Sequence, residues 1–98
     1  MKAKKMNVIG TLRDHEKEIK ESFGVRRIGI FGSFARGEQK ETSDVDILVE
    51  FEKPTFDNFM NLAFFLEDLF QRKVDLVTSN SLSPYIGPYV KKEVVWAD

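Results

Sequence analysis

A glycine–serine turn followed by a pair of aspartates most constrains how this chain folds. Gly32 and Ser33 come directly after an apolar run at residues 28–31, which predicts a strand entering a tight turn. Gly32 can take backbone angles that other residues avoid. Ser33 begins a short helical turn, and the free backbone N–H groups of such a turn suit a phosphate. The sequence therefore predicts a phosphate-binding turn.

Asp44 and Asp46 begin a second predicted strand, which runs to Phe51. Residues two apart on a strand share a face, so both carboxylates project together while Val45 and Ile47 point towards the core. Two adjacent carboxylates repel each other, and a hard divalent cation that prefers oxygen ligands would neutralise both. We therefore expect the core and a metal site on opposite faces of this strand.

A third acidic residue, Asp75, is the only carboxylate in another short predicted strand at residues 73–78. If this strand is adjacent to the one that begins at Asp44, the three acids converge. Such a set is typical of metal-assisted phosphoryl or nucleotidyl transfer. Arg36, close behind the turn, is predicted either to reach a nucleotide phosphate or to bond the loop and neighbouring acids.

The combination of Gly32-Ser33, Asp44-x-Asp46 and a later Asp75 resembles the minimal nucleotidyltransferase family of the DNA polymerase beta superfamily. The similarity covers nearly the whole chain, and the spacing makes the combination more specific than either motif alone. The resemblance implies a nucleotidyltransferase that uses ATP and two magnesium ions. Nucleotide binding would fall to Gly32, Ser33 and Arg36, and metal binding and catalysis to Asp44, Asp46 and Asp75.

The resemblance also implies a partner. Stand-alone members of the family are similar to antitoxins paired with HEPN-type ribonuclease toxins, which are silenced when AMP is transferred to a toxin tyrosine. Two alternatives stay open: a non-catalytic module that masks a cationic surface of its partner, and nucleotidyl transfer to a small molecule. The second is weaker, because a small acceptor needs extra walls that a minimal chain does not provide.

Composition narrows the class of protein further. The 98 residues predict one domain, residues 1–98, and a net charge of −1 argues against direct binding to nucleic acid. Cysteine is absent, which excludes thiolate metal sites, and no apolar run is long enough to cross a membrane. The lysine-rich N-terminus lacks the apolar segment of a secretion signal, so we expect a cytoplasmic protein.

The predicted fold is α/β, with a small mixed sheet of three or slightly more strands and helices mainly on one face. Hydrophobic spacing and turn residues predict helices at residues 6–23, 56–70 and 88–97 and strands at residues 25–31, 44–51 and 73–78. The phenylalanines of the middle helix, Phe56 and Phe64 among them, are predicted to follow its buried stripe. In the last helix, Glu93 is predicted to face outward. Tyr85, Tyr89 and Trp96 are predicted to cover the core edge, or to mark an interface if exposed.

Overall fold

The computed structural model describes residues 7–98, which form a four-stranded sheet and five α-helices. The helices are α1 (Val8–Asp14), α2 (Glu16–Phe23), α3 (Ser33–Arg36), α4 (Phe56–Phe70) and α5 (Gly87–Glu93). The strands are β1 (Val25–Phe31), β2 (Val45–Phe51), β3 (Val74–Thr78) and β4 (Val95–Trp96). The lysine-rich N-terminus and the first predicted helical residue, Met6, lie outside the described residues.

The sheet has the strand order β3-β2-β1-β4. β1 pairs antiparallel with β2 on one side and with β4 on the other, whereas β2 and β3 run parallel. The parallel connection between β2 and β3 contains α4, since a parallel pair needs a crossover rather than a tight turn. The predicted α/β class with a mixed sheet is confirmed.

The main core lies on one face of this sheet, as predicted. β2 contributes Val45, Ile47 and Val49 to it, and each is fully buried. Helices α1, α2 and α4 cover this face with apolar side chains that include Leu12, Ile19, Leu62, Leu66 and Phe70. The period of two along β2 therefore puts the core on the face opposite to Asp46.

The N-terminal segment is two helices rather than the single predicted one. His15 separates α1 from α2 with φ −106° and ψ 7°, outside the helical region. Its backbone N–H donates to the carbonyls of Thr11 and Leu12, and its ring meets Phe65 edge-on at a centroid distance of 6.1 Å. The hydrophobic spacing on either side of His15 is compatible with one helix, so it could not locate this break.

The last predicted helix is shorter than expected. It ends at Glu93, and the chain becomes extended at Val94 and pairs Trp96 with Gly29. A Cβ on Gly29 would lie 2.6 Å from the Val95 carbonyl oxygen, so this close approach requires glycine. Valine and tryptophan favour extended backbone, which explains why the chain leaves the helix.

Several aromatic residues predicted to be buried are exposed. In α4, Phe56 and Phe64 face solvent, although Leu66 and Phe70 on the same helix are buried. Tyr85 and Tyr89 are 84% and 76% exposed, which is the alternative that we associated with an interface. The sequence indicated how much aromatic surface the chain has but not which of it the sheet covers.

None of the helices within residues 7–98 combines the length and apolar character that crossing a membrane requires.

Replacing Leu66 with alanine is expected to lower the free energy of unfolding by about 2–5 kcal/mol, because Leu66 is fully buried and its loss leaves a cavity. Phe64→Ala on the same helix removes a larger but 60% exposed side chain, so we expect a loss below about 1 kcal/mol. Urea unfolding of both variants measures the difference. A larger loss for Phe64→Ala than for Leu66→Ala would contradict the described packing of α4.

Candidate active site

The turn between β1 and α3 takes a conformation that only glycine adopts readily. Gly32 has φ 72° and ψ −151°, and its carbonyl accepts from the backbone N–H groups of Ala35 and Arg36 at 3.1 Å. These bonds close the four-residue helix that begins at Ser33. The first N–H groups of a helix have no partner within it, so the turn retains the donors that the sequence analysis predicted for a phosphate.

Asp46 lies directly against this turn. A Cβ built on Gly32 would be 2.2 Å from the Asp46 carboxylate oxygen Oδ2, far inside van der Waals contact. The strand register explains the contact, because Phe31 at the end of β1 is paired with Asp46 on β2. The absence of a side chain at Gly32 thus lets the predicted phosphate turn and the predicted metal ligand touch.

The other two acids lie close to Asp46. Asp75 on β3 is the register partner of Asp46, which places the two residues side by side on strands about 4.8 Å apart. Asp44 immediately precedes β2 rather than beginning it as predicted, and both Asp44 and Asp75 are exposed. The structure therefore brings the three predicted acids to neighbouring positions around the start of β2 and β3.

The charges of Asp75 and Asp44 act on Asp46. The pKa of Asp46 is raised above its ordinary value, first by burial and then by the negative charges of Asp75 and Asp44, whereas Arg36 acts in the opposite direction. Within residues 7–98, no three acidic or histidine side chains approach closely enough to hold a metal ion. The assignment of a metal to Asp44, Asp46 and Asp75 stays a prediction.

Glu93 is a residue of this site that the sequence analysis missed. It was predicted to face outward, and this is wrong: its Oε2 accepts from the backbone N–H of Gly32 at 3.3 Å, and its Oε1 accepts from Nη1 of Arg36. One signal could have identified it. An acid in the last turn of a helix is unfavourable beside the partial negative charge there, so its presence indicates a compensating partner.

Arg36 bonds neighbouring acids in this structure. Its Nε donates to Glu38 at 2.5 Å and its Nη1 donates to Glu93, and these two hydrogen bonds are the main causes that raise the pKa of Arg36. This arrangement is the structural alternative considered for Arg36 from the sequence. Contact between Arg36 and a nucleotide phosphate stays a prediction.

Arg72 holds the loop that leads into β2. It is, after Glu93, the second residue of this region whose role the sequence did not indicate. Its Nη1 donates to the backbone carbonyls of Lys40, Glu41 and Ser43 at 3.3, 2.9 and 2.8 Å. Its guanidinium also lies 5.4 Å from the centroid of the Phe34 ring in α3. Arg72 therefore connects the end of α4 both to the segment before Asp44 and to the glycine turn.

These features agree with a known family. Residues 12–97 match the nucleotidyltransferase domain, and the chain belongs to that family. The predicted enzyme class, a nucleotidyltransferase, is confirmed.

Individual relatives narrow the comparison. The chain is 52% identical over 86 residues to the protein adenylyltransferase MntA of Thermococcus cleftensis, covering 87% of each chain. Among solved structures, one assigned to a minimal nucleotidyltransferase superimposes with a TM-score of 0.75 and 34% identity over 95% of this chain and 98% of that one. A chain of a mutant toxin–antitoxin complex, MntA–HpeT, superimposes with a TM-score of 0.64 and 26% identity over 94% of this chain and 72% of that one.

Replacing Asp46 with asparagine is expected to stabilise the metal-free protein at neutral pH. Because the folded state raises the pKa of Asp46, the cost of ionising its carboxyl in the fold grows as the pH rises above the unfolded pKa and is complete above the folded pKa. This cost is absent below the unfolded pKa of about 3.9, where the carboxyl is protonated in both states. The gain from Asp46→Asn should therefore shrink as the pH falls.

Urea unfolding across a pH series, with EDTA present, measures this effect. Asp57→Asn is a suitable control, because Asp57 lies in the first turn of α4, where a negative charge is favourable. The control should show no stabilisation at neutral pH. A pH-independent effect of Asp46→Asn would contradict the raised pKa of Asp46.

Replacing Arg72 with glutamine is expected to lower the free energy of unfolding by about 1.5–3 kcal/mol, because three backbone carbonyls lose a charged donor. Lys73→Gln removes a neighbouring exposed charge and should change stability by less than about 0.5 kcal/mol. Denaturant unfolding compares the two variants. Equal effects would show that the loop does not depend on Arg72.

Proposed function

We propose that this chain transfers AMP from Mg-ATP to a hydroxyl group of a partner protein. The observation that carries the proposal is the contact between the Gly32 turn and the Asp46 carboxylate, with Asp75 beside it on the adjacent strand. A donor-rich turn against a group of acids suits a phosphate chain held together with a cation. The 52% identity to a protein adenylyltransferase supports a protein acceptor.

The residues at the turn would bind the nucleotide. Ser33 can donate its hydroxyl and its backbone N–H to a phosphate oxygen, and Gly32 allows the phosphate chain to approach because it has no side chain. Arg36 would add a positive charge from the N–H groups that Glu38 and Glu93 do not use. This assignment gives the turn the binding role and leaves the acids for the reaction.

The three aspartates fit magnesium in their chemistry. Their oxygens are the hard ligands that this ion prefers, and the negative charge concentrated at Asp46 would be neutralised by a cation. Asp44, Asp46 and Asp75 would hold two ions. When bound, magnesium supplies charge neutralisation at the phosphate oxygens.

The reaction would be an in-line displacement at the α-phosphorus of ATP. The acceptor oxygen forms a bond to this phosphorus as the bond to the pyrophosphate oxygen breaks, and pyrophosphate leaves. Asp75 is exposed on the edge strand β3, so an acceptor on another protein can reach it. We assign Asp75 the role of accepting the proton from the attacking hydroxyl.

A protein acceptor fits the exposed surface beside the acids. Tyr89 and Lys92 of α5 line a surface depression together with Arg36 and Glu93, and Tyr85 and Ile86 lie exposed just before the helix. Exposed aromatic and aliphatic side chains grouped beside a reactive site favour a protein interface, for which roughly 800 Å² per partner is usual. This surface is a candidate docking face for the acceptor.

We further propose that the acceptor is a tyrosine of a HEPN-type toxin, so that the chain acts as an antitoxin in the cytoplasm. The structural similarity to a chain of the MntA–HpeT toxin–antitoxin complex supports this partner class. The exposed Tyr89 of α5 and the exposed Tyr85 just before this helix are compatible with docking to another folded protein. Masking without catalysis remains the competing hypothesis, and a transfer assay separates the two.

The test is to mix the chain with the protein encoded by the neighbouring gene, labelled ATP and magnesium. We expect the partner to gain mass in AMP units. Asp44→Asn or Asp46→Asn should lower the rate at least about 100-fold, because a metal ligand stabilises several kcal/mol of developing charge. Mass spectrometry of both proteins measures the transfer.

The control is Asp57→Asn, an acid of α4 on the opposite face of the sheet, which should keep the wild-type rate. Transfer at an unchanged rate by Asp46→Asn would disprove the metal assignment. A stable complex without label, unaffected by Asp46→Asn, would instead favour the masking hypothesis. If the two proteins formed no complex and the partner gained no label, the result would favour a small-molecule acceptor.

A further inference from the structure

The carboxylate of Glu93 joins two separate parts of the glycine turn. One oxygen accepts from the backbone N–H of Gly32, where the turn begins, and the other accepts from Arg36, the last residue of α3. Glu93 comes 61 positions after Gly32 in the chain and is only partly exposed. A single side chain from the far end of the chain thus fixes both the entry and the exit of the turn.

We propose that Glu93 is a positioning residue, which holds Gly32 and Arg36 in the geometry in which the turn receives the triphosphate of ATP. The inference rests on the proposed nucleotidyl transfer and adds a residue to that site. Glu93 does not contact the nucleotide in this scheme, since an ionised carboxylate repels phosphate oxygens. Its effect passes through the two donors that it holds.

The backbone of Gly32 needs such support. Its angles of φ 72° and ψ −151° are open to glycine without strain, and glycine has wide backbone freedom, so hydrogen bonds rather than angle preference must hold the turn in one shape. On one side the turn is closed by bonds from Ala35 and Arg36 to the Gly32 carbonyl. Glu93 supplies the bond on the other side, to the Gly32 N–H.

The position of Glu93 is itself fixed relative to β1. The Val94 N–H donates to the Val90 carbonyl at 2.9 Å, and the chain then pairs Val95 with Ile30 and Trp96 with Gly29. Ile30 lies in β1, two residues before Gly32, which follows the end of that strand. The pairing of β4 with β1 therefore fixes the position of Glu93 relative to the turn that follows β1, so Glu93 can restrict the movement of this turn.

The way Arg36 is bound also fits a positioning role. The guanidinium of Arg36 has five N–H donors. Its Nε–H donates to Glu38, and one N–H of Nη1 donates to Glu93. In the proposed site, Nη2 is the group that would donate to a phosphate oxygen. Glu38 is 63% exposed and contacts only Arg36 in these bonds, whereas Glu93 binds Arg36 and the turn together. Glu38 is thus a matched control for the loss of one negative partner of Arg36.

The experiment compares Glu93→Gln, Glu93→Asp and Glu38→Gln in the full chain. ATP binding to the isolated protein is measured by calorimetry, and KM for ATP and kcat are measured with the partner protein. Because Glu93→Gln weakens two charge-assisted bonds, we expect Kd and KM to rise about tenfold with a smaller change in kcat. Glu38→Gln should change them less than about twofold.

Two further measurements make the result specific. Glu93→Asp, which keeps the charge on a shorter side chain, should recover part of the ATP affinity. Arg36→Gln should also weaken ATP binding, and the double variant Arg36→Gln with Glu93→Gln should lose less affinity than the sum of the two single losses, since the two side chains share the Arg36–Glu93 contact.

Three outcomes would overturn the proposal. An unchanged Kd in Glu93→Gln with a lower melting temperature would make Glu93 a purely structural residue. A lower Kd would show that Glu93 competes with the triphosphate. Equal effects of Glu93→Gln and Glu38→Gln would show that only the negative charge beside Arg36 matters.

The proposed acceptor is tested separately. A wild-type protein that binds ATP but labels no partner would refute the proposed acceptor, while the calorimetric comparison would still decide the role of Glu93.

Discussion

The site depends on the contact between the α-carbon of Gly32 and the carboxylate of Asp46. Any Cβ at Gly32 would lie 2.2 Å from a carboxylate oxygen, so a side chain there would displace the Asp46 carboxylate, and the φ of 72° would also strain it. The same contact places backbone N–H donors beside a negative side chain. A nucleotide bound with its cation carries both signs of charge. In the proposed function the N–H donors of the turn would meet the phosphates and the adjacent Asp46 carboxylate would meet the cation.

The closing segment of the chain completes this arrangement. α5 ends at Glu93, and the strand that follows pairs with the middle of β1. The pairing carries a carboxylate to the turn and a tryptophan to Arg27, whose guanidinium lies 3.9 Å from the ring centroid. A short strand at the edge of the sheet thereby determines where a side chain of the candidate site lies.

Residue spacing along β2 correctly predicted that Asp46 lies on the face opposite the core, because a period of two determines which side chains of a strand share a face. The approach of Asp75 to Asp46 was predicted on the condition that the two strands are adjacent, and the register of β2 and β3 meets that condition. The order of elements from β1 to α5 also followed from local signals, whereas the break at His15 and the strand β4 did not. These are properties of neighbouring residues, so the sequence contains them directly.

The missed features depend on contacts between distant parts of the chain. Glu93 looks like a solvent-exposed acid until the pairing of Val95 with Ile30 brings it to the turn, and Arg72 looks like a surface cation until the loop carbonyls approach it. The exposure of Phe64 has a similar origin, since a local pattern shows a wide apolar stripe but not the width of the sheet that covers it. Tertiary packing settles each case.

The antiparallel pairing of β4 with β1 has a consequence for how the site assembles during folding. Contacts between residues far apart in sequence require closure of a long loop, whose entropy cost is met only after nearby elements have formed. Residues 32–44 join β1 to β2, and the Gly32–Asp46 contact spans only 14 positions, so this contact can arise early. The Gly32–Glu93 bond spans 61 positions and comes with the C-terminal strand. A nascent chain would thus hold its acids before its turn is braced, and the turn would acquire its final shape only once synthesis of the last strand is complete.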